Sequence, residues 1–285
     1  MLKKILLADS GTGQSEQMLS YLLDLPLIQN ANITVMHVIS GKSSAEDMDR
    51  RREEGANTLA RTVQNLHLNE RNILSVNTLL REGEPKDEVC KVADEIDAEL
   101  IIMGSRGLKR LQSILENSVS QYVFQLSSKP MLLVKDDVFV KRIKRVMVAL
   151  NPSGSSQASF ELAVRLVRDI KGGRMVLAHI NKDFDTRATL SAAEATKDKV
   201  LAPAIQKLKS YGIKYKCFVS NGKPGREICQ IAEESNADLL VMGSPDRRPS
   251  VARSFVDVDR LLGNSVSDYV RVQTPCPVLF VRQGE

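Results

Sequence analysis

The chain contains the same text twice, and this limits its fold more than any other feature. The segment EVCKVADEIDAELIIMGSRG (88–107) lies over EICQIAEESNADLLVMGSPD (227–246), with nine of the 20 positions identical. The matches include Cys90 with Cys229, and Met103-Gly104-Ser105 with Met242-Gly243-Ser244. Nearly the same offset brings KKILLAD (3–9) near KRVMVALN (144–151), MHVI (36–39) near AHIN (178–181), and KPMLLVK (129–135) near CPVLFVR (276–282). A repeat this long is a whole domain rather than a solenoid unit. The 285 residues therefore divide into two domains, 1–138 and 139–285, joined near DDVFVKR (136–142).

Within each half, short runs rich in Val, Ile and Leu alternate with longer segments of helical period, the pattern of βα units around a parallel sheet. In the first half the strands fall at about 3–8, 33–39, 73–80, 98–103 and 130–135. Ser15 reads as a cap for the helix of Met18, Leu19 and Leu22, and Ser43 or Ser44 as a cap for a charged helix through Arg61. Gly83-Glu84-Pro85 turns the third strand into the helix of Val89, Val92 and Ala93, and Gly222-Lys223-Pro224 does the same in the second half. Right-handed crossovers then give an α/β fold of two tandem doubly wound domains, each a five-stranded parallel sheet flanked by helices. If strands 1, 2 and 3 run one way and 4 and 5 the other, strands 1 and 4 meet at the switch point, where ligands bind beyond the carboxyl ends. That places Asp9 beside Gly104.

The best candidate site is MGSRGLKRLQSILENSVS (103–120). Gly104 and Gly107 would let backbone N–H groups approach an anion. Asn117 and Ser118 precede a helical pattern whose first turn presents the N–H groups of Val119 and Ser120, with a dipole that favours negative charge. Arg106, Lys109 and Arg110 raise the local potential. Each element alone also has a structural reading, the Gly pair as a tight turn and Asn-Ser as a helix cap. Neither a Walker A lysine nor a G-x-G-x-x-G fingerprint is present, which excludes a conventional P-loop NTPase.

The spacing Gly104, Gly107, Asn117, Ser118 resembles the nucleotide-binding signature of the universal stress protein family. KILLAD, the HVI of strand 2, the G-E-P turn, AELIIMGSRG and PMLLV resemble that family in order and position, over nearly the whole chain and twice. The resemblance implies strand order 3-2-1-4-5 in each domain and binding of ATP, or ADP or AMP, in the first. Asp9 would sit near the nucleotide, Val38 would meet adenine, and Met103 would line the pocket. Gly104, Arg106, Gly107, Asn117, Ser118, Val119 and Ser120 would surround ribose and phosphates. Asn117 stands where the family usually has Gly. Mg²⁺ is the only metal to consider, bound through the phosphates and with Asp9 as the protein contact. The resemblance also implies edge-to-edge pairing of the two domains as an internal pseudo-dimer, with a further homodimer of chains.

The second half departs from this signature. Asp9 is matched by Asn151 and Gly107 by Asp246; Gly243 to Asn264 spans 21 positions against 13 from Gly104 to Asn117. Asp246 would repel phosphate, and Pro245 and Pro249 remove N–H donors. Poor or no ATP binding is expected there, although NSVS persists at 264–267.

The remaining features narrow the class. A composition of 42% hydrophobic and 26% charged residues, with mean hydropathy −0.18, is that of a globular protein without a membrane span. The apolar run after Lys3 and Lys4 ends at Asp9, too short for a signal-peptide core, so a cytosolic protein is expected. Its four scattered cysteines read as reduced, packed thiols. The net charge of +5 is dispersed and Trp is absent, which favours a small anion over nucleic acid. His37 and His179 are expected to pair with neighbouring backbone, and EDMDRRREE to be a solvated helix face with i,i+4 pairs. With no general base legible, the protein is at most a slow ATPase, and the leading reading is a stress-response module that binds nucleotide. The alternative is a partner-binding protein with both sites decayed. A hydrolase or ligase on a related fold lacks a nucleophile signature.

Overall fold

The computed structural model describes residues 2–11, 13–40, 45–67, 71–105, 118–181, 188–244 and 265–282. The chain forms two compact units, Met1–Val140 and Lys141–Glu285.

The described elements of the first unit are β1 (Lys4–Ala8), α1 (Gln14–Leu23), a 3-10 turn (Pro26–Ile28), β2 (Asn32–Ile39), α2 (Ala45–Asn65), β3 (Ser75–Glu82), α3 (Pro85–Glu95), β4 (Leu100–Ser105), α4 (Val119–Leu126) and β5 (Met131–Lys135). Strand order is β3-β2-β1-β4-β5, all parallel. Ala8 pairs with Met36 on one side and Met103 on the other, so the ends of β1, β2 and β4 meet where the order reverses. Helices cover both faces of the sheet, which is why Ile5, Leu6 and Leu7 are all fully buried although they alternate sides.

The helix α1 starts differently from the sequence expectation. Its N-cap is Gly13, at φ 85°, and Ser15 lies inside the helix, buried, with no partner for Oγ. Ser43 and Ser44 fall outside the described residues. The charged face of α2 pairs at i,i+3 rather than i,i+4, Asp47 with Arg50 at 2.8 Å and Asp49 with Arg52 at 3.0 Å. Arg52 also reaches Glu82 of β3 at 2.7 Å. Such exposed pairs are screened by water and contribute little to stability.

The second unit repeats the plan with β6 (Arg145–Leu150), α5 (Gly154–Val167), β7 (Arg174–Ile180), β8 (Ala188–Leu190), α6 (Ala192–Ala195), α7 (Leu201–Ser210), β9 (Lys214–Ser220), α8 (Pro224–Glu234), β10 (Leu239–Gly243), α9 (Val266–Gln273) and β11 (Val278–Val281). Five strands run parallel in the order β9-β7-β6-β10-β11. The short β8 joins β9 antiparallel at the outer edge, a sixth strand that the repeat did not announce.

Strand register refines the matching of the halves. Ala8 pairs with Met103 as Ala149 pairs with Met242, so Leu150, not Asn151, occupies the strand position of Asp9. Asn151 makes the same turn one residue later. Its side-chain oxygen accepts from Ser153 N–H at 2.9 Å, as Asp9 accepts from Gly11 N–H at 2.8 Å.

All four cysteines are free. Burial, then Asp94 and Asp87, pushes the Cys90 thiol up to about 11. Burial and Asp198 push Cys217 up to about 12. Both stay protonated and inert at neutral pH. Among the described residues no helix is long and apolar enough to cross a membrane.

Candidate functional site

A cavity of about 420 Å³ opens at the switch point of the first unit. Ala8, Asp9 and Ser10 border it from β1, Met36, His37 and Val38 from β2, and Met103, Gly104 and Ser105 from β4. Pro85 and Val89 of α3 and Ser118, Val119 and Ser120 of α4 form its other wall, with Asp136 beyond β5. Seven sequence-derived candidates thus meet in one cavity: Asp9, Val38, Met103, Gly104, Ser118, Val119 and Ser120. Arg106, Gly107 and Asn117 lie outside the described residues.

The wall is built by local rules. Strand alternation sends Met36 and Val38 to the α3 side and His37 to the α2 side. The ring of His37 lies 3.4 Å from where a Cβ on Gly55 of α2 would stand. His37 Nδ1–H donates to the Asp9 carbonyl at 2.9 Å, the backbone pairing expected of it. Pro85 occupies the first turn of α3, where no N–H is needed, and this aims Val89 at the cavity one turn later. Lys86 places its ammonium 4.7 Å from the centre of the Tyr122 ring, linking α3 to α4.

The polar end is the start of α4. Ser118 is the N-cap residue, but its hydroxyl does not cap; it bonds the Ser120 hydroxyl at 2.8 Å. The N–H groups of Val119 and Ser120 make no hydrogen bond among the described residues. Free N–H groups and the positive end of the helix dipole therefore border the cavity. Ser105 adds a buried Oγ with no partner. This arrangement suits a ligand with an apolar body and an anionic end.

Asp9 borders the cavity with its carboxylate already committed. Oδ1 accepts from Gly11 N–H at 2.8 Å and Oδ2 from the Thr62 hydroxyl at 2.5 Å. These two bonds tie the β1 turn to α2.

The corresponding place in the second unit differs in three described features. A Cβ on Gly243, at the end of β10, would stand 2.5 Å from the Ser155 carbonyl carbon and the Ser156 nitrogen, so the start of α5 is pressed onto the strand. A Cβ on Gly225 of α8 would meet the Tyr269 ring at 2.8 Å, so α8 and α9 approach more closely than a side chain there allows. At the start of α9, Ser265 Oγ accepts from Asp268 N–H at 3.1 Å and donates to Asp268 Oδ2 at 2.5 Å. The first unit has Gln121 where the second has Asp268. The persistent NSVS is therefore a self-satisfied cap beside an acidic side chain. Asp268 was missed in the sequence, although its place at the third position of a helix opened by Ser is a capping signal. Replacing Ser265 with Ala should cost about 1 kcal/mol in denaturant unfolding of the second unit. Ser118→Ala loses no cap bond but leaves the buried Ser120 hydroxyl without its partner, so a cost of about 1 kcal/mol is expected in the first unit too.

Met36, Pro85, Val89, Ser105 and Asp136 were also not singled out from sequence. Their signals, helical period and strand alternation, mark core and cavity wall alike.

The comparisons agree with this architecture. The profile of the universal stress protein family matches residues 1–135 and again 142–282. A universal stress protein of Synechocystis is 26% identical over 135 residues, 47% of this chain and 86% of the relative. The Bacillus subtilis universal stress protein YxiE is 28% identical over 151 residues, 47% of this chain and 100% of the relative. The solved structure of a universal stress protein from Archaeoglobus fulgidus superposes with a TM-score of 0.72 at 21% identity, covering 99% of this chain and 97% of that one. With its fold repeated and the family matched once per half, the chain belongs to the universal stress protein family and carries two of its domains in tandem.

Proposed function

We propose that the first unit binds an adenine nucleotide, ATP or its products ADP and AMP, and that the second does not. The observation that carries this reading is the uncapped start of α4 at one end of a cavity whose other end is apolar. Met36, Val38, Val89 and Met103 suit a flat, uncharged base. Gly104, the N–H groups of Val119 and Ser120, and the hydroxyls of Ser105, Ser118 and Ser120 suit ribose and phosphate. The volume falls within the range of about 300–1,000 Å³ typical of small-molecule sites.

The nucleotide supplies the state that such a protein would read, and these residues bind and orient it. Mg²⁺ would enter with the phosphates, near Asp9. Binding, not turnover, is the function assigned, in keeping with a regulatory stress-response protein. Mass spectrometry of small molecules released from freshly purified protein, followed by calorimetric titration with ATP, tests the proposal. About one nucleotide per chain is expected. Absence of both carried-over nucleotide and titratable binding would leave the partner-binding alternative.

A further inference from the structure

The second unit holds a cavity of about 650 Å³ on the other side of its sheet, lined by Pro152, His179, Asn181, Lys197, Asp198 and Lys199 among others. Its origin is a change in the helix that covers the histidine. In the first unit, α2 runs 21 residues and lies against His37; its counterpart α7 has 10 and begins only at Leu201. The chain before α7 forms β8 and α6, which leaves space over His179.

His179 does not follow the backbone pairing expected from its position. Its Nδ1 lies 2.9 Å from Asp198 Oδ2, and both side chains are buried, at 9% and 3% exposure. Asp198 Oδ1 accepts from the N–H groups of Val200 at 2.8 Å and Leu201 at 3.0 Å, so the carboxylate also starts α7. Burial alone would raise the Asp198 pKa, but the Leu201 N–H, His179 and the Val200 N–H together hold it below the ordinary carboxylate value. An ionised Asp198 keeps the ring proton on Nδ1 and turns Nε2 to the cavity, where it makes no hydrogen bond among the described residues.

The surroundings select the ligand. Lys197 and Lys199 bring two ammonium groups. The other acid at the cavity, Glu194, has Oε2 occupied by the Ser191 N–H at 2.9 Å and hydroxyl at 2.6 Å. Cys217, near Asp198 on β9, stays neutral. No three His, Cys, Asp or Glu side chains gather as a metal site among the described residues. Among the described residues no hydroxyl or thiol lines the cavity to serve as a nucleophile for the imidazole. We propose that this cavity is an anion site, in which His179, held by Asp198, together with Lys197 and Lys199, receives the phosphate or carboxylate group of a small metabolite. The site is independent of the nucleotide cavity and would give the two halves different ligands.

Sulfate and acetate, whose charges stay constant between pH 6 and 8, are the probes, added to the full chain while the ¹⁵N resonances of His37, His67 and His179 are followed by NMR. Saturable movement of the His179 Nε2 signal at pH 6 supports the proposal. Sulfate binding more tightly marks a phosphate ligand; acetate binding more tightly marks a carboxylate. The double variant Lys197→Gln/Lys199→Gln should weaken binding about tenfold with the His179–Asp198 contact intact. Asp198→Asn, which keeps an oxygen for the α7 cap, should weaken it similarly at pH 6. The proposal is overturned if neither probe moves His179, or if both variants bind as tightly as the parent.

Discussion

Replacing Gly104 with valine should remove nucleotide binding from the chain while leaving it folded. Gly104 stands at the end of β4 and borders the cavity directly, between apolar Met103 and the buried Ser105 hydroxyl. An isopropyl group there is added to a strand end that borders the same cavity as the start of α4. It would displace the anionic end of the ligand from the N–H groups of Val119 and Ser120. Hydrogen bonds to charged groups contribute about 1.5–3 kcal/mol each, so losing two weakens binding by roughly 10²- to 10⁴-fold. Calorimetric titration against ATP reads this directly, and circular dichroism checks the fold. Unchanged affinity would mean that the ligand lies elsewhere.

The matching change in the other half has the opposite character. Gly243→Val should leave ATP affinity unaltered and destabilise the second unit by about 3 kcal/mol or more. Backbone atoms of Ser155 and Ser156 already lie 2.5 Å from where the new Cβ must go, so α5 has to lift off β10. Overpacking against side chains typically costs about 1–3 kcal/mol, and here the obstacle is helix backbone, which cannot rotate away. Hydrogen exchange mapped along the chain should show protection falling in residues 141–285 and holding in the first unit. Equal loss in both units, or none, would contradict this packing.

Much of the architecture was legible in the sequence because parallel strands buried on both faces must be written as unbroken apolar runs. KILLA, MLLVK and LIIMGS could be placed to within a residue or two for that reason. The order of strands came through resemblance, since crossover direction leaves no mark in local composition. The cavity was legible in part. Gly104, Ser118, Val119 and Ser120 carry a spacing, whereas Val89 and Met36 look like any core residue. The departure of the second site was read from Asp246, Pro245 and Pro249, outside the described residues; the described residues add Gly243, Gly225 and Asp268. A glycine kept for close packing and one kept for a ligand are the same letter. His179 was misread because its partner, Asp198, lies 19 residues away and only the fold brings them together.

The three residues of β8 have a consequence for how copies of this chain can associate. A parallel ladder that ends on a bare strand invites another strand to extend it. In the second unit that invitation is answered from within, because Ala188, Thr189 and Leu190 lie against Val219, Phe218 and Cys217. The first unit leaves β3 uncovered but carries charge along it, with Arg81 paired to Glu95 and Glu82 to Arg52. One outer border is thus shortened to a three-residue strand and the other defended by side chains. A newcomer at the former finds little backbone to pair with, and at the latter must strip water from ions.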